Sequence, residues 1–187
     1  MRSFIAIELP ESVRTALSEL QNELKECRAD VRWVKPEGIH LTLKFLGDVE
    51  EKGVDHIVKL IEGTCRKYKA FNLEIAGAGV FPNKRSPRVL WVGINGNETF
   101  KTLQGEIDEA MASTGFEKEN RRFIPHLTLG RFRSIKGKDA LMEKVESHRD
   151  IKLGSMDVSK ISLMKSDLSP AGARYTTVAG IALKSDE

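Results

Sequence analysis

The tetrapeptide His40-Leu41-Thr42-Leu43 occurs a second time, letter for letter, at His126-Leu127-Thr128-Leu129. Successive side chains of a β-strand point to opposite faces, so in each copy the histidine and threonine share one face and the two leucines share the other. The leucine face can be buried while the imidazole and the hydroxyl face a cleft. Two such strands side by side supply enough groups to bind a phosphate and to transfer protons on both sides of it.

The residues around each copy support this interpretation. The segment Ile39–Phe45 alternates apolar and polar side chains and is followed by the turn signal Gly47-Asp48, which predicts a half-buried strand. The second copy follows Pro125, which suits the start of a strand because it lacks an amide hydrogen. The residues after it are Gly130-Arg131-Phe132-Arg133, so we expect the face of His126 to continue as a basic one.

The chain has two further histidines, His56 and His148, both in segments typical of charged helix faces. We interpret these two as surface residues. A single histidine in a strand would be interpreted as an ordinary structural residue as well. The repetition of the whole pattern favours a functional interpretation for His40 and His126.

Length and composition indicate a globular protein. Hydrophobic residues make up 40% and charged residues 30% of the 187 residues, which is unlike a disordered chain. The net charge of +3 is too small by itself to indicate a duplex-DNA-binding protein. Cys27 and Cys65 are far apart, and neither a secretory signal nor a long apolar segment is found. We therefore expect a cytoplasmic protein that does not enter a membrane.

Helices and strands are interspersed along the chain. This arrangement, with hairpin-like strand pairs, favours an α+β fold with mainly antiparallel sheets. No linker divides the chain, so we expect residues 1–187 to form a single domain whose lobes share elements. Apolar spacing predicts helices near residues 10–24, 50–69, 97–113 and 136–148. Besides the two motif strands, strands are predicted at 3–9, 31–34, 71–80, 88–94, 158–165 and 175–183.

Several other chemistries lack their motifs. The chain has no paired cysteines and no His-Glu-x-x-His, so we expect no metal site. The run Gly77-Ala78-Gly79 lacks the third glycine of a dinucleotide-binding loop, and no Gly-x-x-x-x-Gly-Lys sequence is present. A serine hydrolase would need Gly-x-Ser-x-Gly, which is also absent. We expect no cofactor.

Two imidazoles and two hydroxyls suit the opening of a phosphodiester ring on a ribose. That reaction needs a base to deprotonate water and an acid to protonate the leaving ribose oxygen, on opposite sides of phosphorus. An imidazole can take either part, because its unperturbed pKa is about 6.5. Threonine hydroxyls and an arginine can hold the nonbridging oxygens, where negative charge increases in the transition state.

The sequences RWVKPEGIHLTLKFLG (32–47) and IPHLTLGR (124–131) resemble the two-histidine (2H) phosphoesterases. Within these they resemble the RNA 2′,3′-cyclic phosphodiesterases once described as 2′-5′ RNA ligases. The segments RSFIAIELP, FPNKRSPRVLWVGI and SDLSPAGARYT are similar to that family too. The resemblance implies a bilobal α+β fold with pseudo-two-fold symmetry. Two mainly antiparallel sheets, with helices packed outside, would each contribute one His-x-Thr strand to a central cleft.

The resemblance also implies roles for individual residues. His40 would be the general acid that protonates the 3′ oxygen, and His126 the general base that activates water, so that the product is a 2′-phosphate. Thr42 and Thr128 match the threonines that bind the phosphate, and Arg131 matches the basic residue after the second motif. The substrate would be RNA with a 2′,3′-cyclic phosphate end, and we expect the protein to be a monomer.

Residues beyond the motifs can be assigned only in outline. Alternation places Phe45 on the buried face with the leucines, and we predict that Phe45 and Phe132 are core residues and not base-stacking platforms. The candidates for a basic rim that contacts RNA are Lys44, Lys84, Arg85, Arg121, Arg122 and Arg133.

Three alternatives stay open at this point. The same two histidines would serve a 2′-5′ RNA ligase, because ligation is the reverse reaction at one site. A noncatalytic RNA-binding module is a second alternative, although such modules present exposed aromatic residues and aromatic residues make up only 6% of this chain. A structural domain with accidental histidines is the third.

Overall fold

Nine strands and four helices build the protein in a computed structural model, which describes residues 1–185. The strands are β1 (Arg2–Glu8), β2 (Val31–Trp33), β3 (His40–Asp48), β4 (Phe71–Phe81), β5 (Val89–Asn95), β6 (His126–Phe132), β7 (Lys152–Val158), β8 (Lys160–Ser169) and β9 (Gly172–Ala182). The helices are α1 (Glu11–Lys25), α2 (Val54–Cys65), α3 (Glu98–Ala112) and α4 (Lys138–Ser147).

The strands form two antiparallel sheets, with the orders β3-β1-β8-β9 and β2-β6-β5-β4-β7. Without the short β2, each sheet has four strands, and the strand that begins with a motif histidine lies at one end. The first sheet joins strands from the two ends of the chain. The predicted α+β fold with two antiparallel sheets is confirmed.

The helices bury the apolar stripes that the sequence predicted. In α1 the buried apolar residues are Val13, Leu17, Leu20 and Leu24, spaced three or four apart as one face of a helix requires. Helix α1 contacts β7 of the second sheet, whereas α3 contacts β3 of the first. Helix α1, which precedes β3 in the chain, therefore packs against the sheet that holds β6. Helix α3, which precedes β6, packs against the sheet that holds β3. One continuous cluster of buried apolar side chains includes residues of both sheets and all four helices.

Two details differ from the sequence-based expectations. Strand β7 was not predicted, because Lys152, Gly154 and Ser155 give it no apolar alternation, and only its last part is buried. It is held by antiparallel pairing with β4. His148 is not a surface residue: its side chain is 16% exposed, and Nε2 lies 3.1 Å from a carboxylate oxygen of Glu23.

No helix formed by residues 1–185 is both long enough and apolar enough to cross a membrane.

Candidate active site

A cavity of about 440 Å³ is lined by side chains from both motif strands. His40 and Thr42 line it from β3, and Thr128 and Arg131 line it from β6. His126 lies two residues before Thr128 on β6 and is half-buried on the same face of that strand. Four of the five site residues that the sequence predicted therefore line one cavity, and the fifth, His126, lies on the strand face that Thr128 presents to it.

Each motif histidine is held by the backbone carbonyl two residues before it. Nδ1 of His126 lies 2.8 Å from the carbonyl oxygen of Ile124, and the ring of His40 is hydrogen-bonded to the backbone of Gly38. A carbonyl oxygen can only accept, so Nδ1 of His126 donates the hydrogen. The Nε2 atom of His126 is then left for proton transfer.

Aromatic rings fix the histidines from the side. The ring of His126 meets Phe81 edge to face at 5.0 Å, and the ring of His40 meets Tyr175 at 5.0 Å and Phe4 at 5.8 Å. Such T-shaped contacts are favourable arrangements of aromatic rings. The sequence did not single out Phe4, Phe81 or Tyr175 for the site, because their contacts depend on how distant strands are brought together.

Burial lowers the pKa of His40 below its usual value. The hydrogen bond to Gly38 and the negative charge of Glu8 oppose this effect, while the positive charge of Arg14 adds to it. Glu8 is the cross-strand partner of His40 in the pairing of β1 with β3. At the equivalent place in the second sheet, His126 pairs with Gly93, which has no side chain.

Glu8 is held in place on three sides. The hydroxyls of Ser162 and Thr177 donate hydrogen bonds to its carboxylate at 2.9 Å and 2.8 Å, and the Lys160 ammonium lies at 3.3 Å. Burial raises the pKa of Glu8, but these partners outweigh it and hold that pKa below its ordinary value. A fixed carboxylate therefore lies opposite His40 in the strand pairing, whereas a glycine lies opposite His126.

Each motif strand has its own β-bulge directly after the motif threonine. In the first, Thr42 pairs with Ala6 and Lys44 with Ile5, so Leu43 has no partner. In the second, Thr128 pairs with Trp91 and Gly130 with Leu90, so that the next leucine is the extra residue. A bulge inserts one residue into the alternation and thereby exchanges the two faces of the strand beyond it.

The bulge overturns two expectations about the first motif strand. Phe45 is not a core residue: it is 72% exposed, and it lines the cavity on the face of His40. Lys44 does not belong to a basic rim: it is 7% exposed, and its ammonium lies 2.5 Å from the Asp108 carboxylate and 2.5 Å from the backbone oxygen of Glu117. Strict alternation fails here because it allows for no extra residue.

The same shift places Arg131 in the cavity. The expected basic continuation of this face therefore holds for Arg131 but not for Arg133, and it depends on the bulge, because strict alternation would place Arg131 with the leucines. Phe132 is partly buried and packs against the core, as predicted. Lys84, of the proposed rim, is paired with Glu146. The arginines of that rim are exposed and do not line the cavity: Arg85, Arg121, Arg122 and Arg133.

Two buried glutamines hold the bulges, and the sequence analysis missed both. The side-chain amide of Gln104 on α3 donates to the carbonyl of Leu43 at 3.1 Å. The amide of Gln21 on α1 donates to the carbonyl of Leu129 at 3.0 Å. A signal was present, because each glutamine interrupts the apolar stripe of an amphipathic helix. Each helix thus supports the motif strand of the sheet against which it packs.

The site offers nitrogen and hydroxyl groups and few metal ligands. Within residues 1–185 there is no group of three or more His, Cys, Asp or Glu side chains that could hold a metal ion. The cavity lining contains hydroxyls, one motif imidazole and two guanidinium groups. This arrangement can bind an anion and transfer protons.

Comparison with known proteins gives matches over nearly the whole chain. The LigT-like phosphoesterase family matches it twice, over residues 7–91 and 92–175, with one His-x-Thr motif in each part. The chain is 43% identical to the RNA 2′,3′-cyclic phosphodiesterase of Methanothermobacter thermautotrophicus, over 94% of this chain and 95% of that relative.

Solved structures agree with this result. The TT0787 protein of Thermus thermophilus superposes with a TM-score of 0.84 at 28% identity and covers 100% of both chains. Escherichia coli LigT complexed with 3′-AMP gives a TM-score of 0.78 at 25% identity and covers 97% of each chain. The repeated motif, the two-sheet fold and these likenesses show that the chain belongs to the LigT-like family of 2H phosphoesterases.

Proposed function

We propose that the protein hydrolyses the 2′,3′-cyclic phosphate at the end of an RNA strand and leaves a 2′-phosphate. The observation that carries the proposal is the convergence of His40, Thr42, Thr128 and Arg131 on one cavity, with His126 on the same face of β6. The name of the archaeal relative, RNA 2′,3′-cyclic phosphodiesterase, supports this substrate. So does the 3′-AMP complex of E. coli LigT, because that ligand is a ribonucleotide.

In this mechanism the two histidines start in different protonation states. Neutral His126 takes a proton from a water molecule while the water oxygen bonds to phosphorus. The bond between phosphorus and O3′ breaks, its electron pair goes to O3′, and protonated His40 supplies the proton that O3′ needs. The phosphate stays on O2′. Proton exchange with solvent then returns both histidines to their starting states.

The neighbours of the histidines support this division of roles. Protonated His40 lies opposite a fixed carboxylate, Glu8, whose negative charge favours the imidazolium form. His126 lies opposite Gly93 and has no such neighbour on that strand. Burial disfavours the charged form of His40. The negative charge of a bound cyclic phosphate would favour that form and so offset the effect of burial.

Thr42, Thr128 and Arg131 bind the phosphate in this proposal. Their hydroxyl and guanidinium hydrogens donate to the nonbridging oxygens, and Arg131 can do so with two parallel hydrogen bonds. Donors that are already in place stabilise the charge that grows on these oxygens in the transition state. The reaction therefore has no step that needs a metal ion.

Phe45 provides a surface for the terminal base. Its ring is 72% exposed, lines the cavity, and lies 6.1 Å from the ring of Phe4. Stacking of a base on an aromatic ring is tolerant of sequence because every base has a flat face. The proposed site thus binds the phosphate with the motif side chains and the base with Phe45.

The test is to incubate purified protein with 2′,3′-cyclic AMP in excess EDTA. We expect hydrolysis with a bell-shaped dependence of kcat/KM on pH, and adenosine 2′-phosphate as the product in ³¹P NMR spectra. In ¹⁸O-labelled water the label should enter the phosphate and not the ribose.

Other outcomes would contradict parts of the proposal. Loss of activity in EDTA would point to a metal-dependent mechanism. A 3′-phosphate product would mean that O2′ leaves and that the assignment of the leaving oxygen is wrong. Tight binding without turnover would favour the noncatalytic RNA-binding module.

A further inference from the structure

The cavity extends far beyond the motif residues. From His40 and Thr42 its wall continues along β3 to Phe45 and Gly47, and on β1 it reaches Arg2. Arg2 lies six residues along β1 from Glu8, the strand partner of His40. At about 3.3 Å per residue, the far end of the cavity is therefore about 20 Å along the strand from His40.

The hairpin of β8 and β9 forms the outer wall of this extension. The pairing of β1 with β8 ends at Ser3 and Lys165. Strands β8 and β9 stay paired as far as Ser169 and Gly172, so the hairpin projects past the end of β1. Leu168, on this projecting part, is 70% exposed and lines the cavity.

The charges that line the cavity are positive and lie at its two ends. Among the described residues that line it, the only cationic ones are Arg131, at the motif end, and Arg2, and none is Asp or Glu. Among the ion pairs formed within residues 1–185, none involves Arg2. The Arg2 side chain is exposed. Its guanidinium is therefore available to an anion that enters from solvent.

We propose that this extension binds the RNA strand on the 5′ side of the cyclic end, with Arg2 paired to a backbone phosphate and an upstream base against Leu168. The inference rests on the proposed function, because it places the cyclic phosphate at the histidines. A length of about 20 Å is several times the ~3.4 Å between neighbouring stacked nucleotides, so one nucleoside leaves the far end empty. Arg131 at one end of the cavity and Arg2 at the other can each bind an anion. An RNA strand has a phosphate at every nucleotide and can therefore bind to both.

The substrate class follows from this arrangement. Arginine binds phosphate through a rigid fork of N–H donors and contacts the backbone without reading the base. The enzyme should therefore prefer an oligonucleotide with a cyclic end to a cyclic mononucleotide, with little dependence on the upstream sequence.

The experiment compares kcat/KM for 2′,3′-cyclic AMP with kcat/KM for oligoadenylates of two to five nucleotides that have the same cyclic end. The ratio of the two values is the selectivity for a strand. We expect Arg2→Ala to lower this selectivity about tenfold, because one charge-assisted phosphate contact is lost. The slope of log kcat/KM against log salt should fall by about 0.7 for the oligonucleotide. The shortest responsive substrate identifies the phosphate.

Lys165→Ala is the matched control. It removes one positive charge from the neighbouring strand at a residue that does not line the cavity. We expect it to leave the selectivity unchanged. Equal selectivity in wild type and Arg2→Ala would overturn the inference, and so would an equal loss in Lys165→Ala, since the effect would then be one of general charge.

A binding measurement separates this inference from the proposed function. Fluorescence anisotropy with a labelled tetranucleotide that ends in a 2′-phosphate requires no turnover. We expect Arg2→Ala to raise its Kd about tenfold, and an unchanged Kd would overturn the inference. Failure of wild-type protein to open any cyclic phosphate would instead contradict the proposed function, whatever the Kd values.

Discussion

The two motif strands are identical for four residues and differ immediately afterwards. Both have a bulge at the second leucine, held by a glutamine from a helix. The residue after the bulge is buried Lys44 in one strand and Gly130 in the other, and the next is Phe45 or Arg131. The repeated strand and bulge thus supply two equivalent histidines. The residues beyond the bulge then differ: Phe45 suits one half to binding a base, and Arg131 suits the other to binding a phosphate.

The largest expected effects come from the histidines themselves. We expect His40→Ala and His126→Ala each to lower kcat about 10³- to 10⁴-fold on 2′,3′-cyclic AMP, because each removes a proton-transfer group. The two variants should differ when the leaving group needs no proton. On bis(p-nitrophenyl) phosphate the loss in His40→Ala should shrink, whereas the loss in His126→Ala should remain.

Circular dichroism and urea unfolding serve as the controls for these variants. Neither histidine belongs to the apolar core, so both variants should fold. Equal losses on both substrates for both variants would show that the histidines do not act as a separate acid and base.

The next largest effect should come from replacing Lys44, the residue after the bulge, and it should lower the stability of the fold. Lys44→Met leaves the Asp108 carboxylate buried without its cation, so we expect the free energy of unfolding to fall by about 3–5 kcal/mol. The double variant Lys44→Met, Asp108→Leu should recover most of this loss. Urea unfolding provides the measurement, and absence of recovery would exclude the buried charge as the cause.

Gly130 occupies the equivalent position in the second motif strand. A Cβ atom there would meet the Val31 side chain at 2.6 Å and the Arg32 carbonyl oxygen at 3.2 Å. Gly130→Ala should therefore destabilise through overpacking, by about 1–3 kcal/mol. The strand β2 covers the bulge in one half, and the ion pair covers it in the other.

Phe45 and Arg131 should affect different kinetic constants, although they occupy equivalent positions. Arg131→Ala should lower kcat about 10²- to 10³-fold, because the guanidinium acts on charge that develops in the transition state. Phe45→Ala should mainly raise KM, by about tenfold, since stacking of a base contributes about 1–3 kcal/mol. Phe45→Tyr is the control that keeps the flat face. A fall in kcat as large as that of Arg131→Ala would show that Phe45 does not act through the base.

These differences also show where the sequence was informative. The repeated motif and the apolar stripes predicted the four helices, every strand except β7 and the fold class, because periodicity reports which face of an element is buried. The bulge could not be predicted, because one extra residue changes no local composition and depends on the pairing of distant strands. Lys44 and Phe45 were therefore assigned to the wrong environments. Glu8 and Arg2 were missed because only the strand register places Glu8 opposite His40 and Arg2 at the cavity.

The smallest expected effect concerns Glu8, the strand partner of His40. The strand partner of His126 is Gly93, which has no side chain. Removing this negative charge leaves the burial of His40 less opposed, so Glu8→Gln should lower the pKa of His40 further. His40 acts in its protonated form, and activity is lost as pH rises through its pKa. The alkaline limb of kcat/KM should therefore move to lower pH.

An NMR titration of the His40 ring tests the same point without turnover, and the ring of His126, opposite Gly93, is the internal control. Glu37→Gln removes an exposed carboxylate three residues from His40 and should have little effect, because solvent screens it. A displaced pH profile with an unchanged His40 titration would mean that Glu8 acts on a different group. An unchanged profile and an unchanged titration would mean that the carboxylate holds β1, β8 and β9 together and does not assist the acid, which would remove the main physical difference between the two histidines.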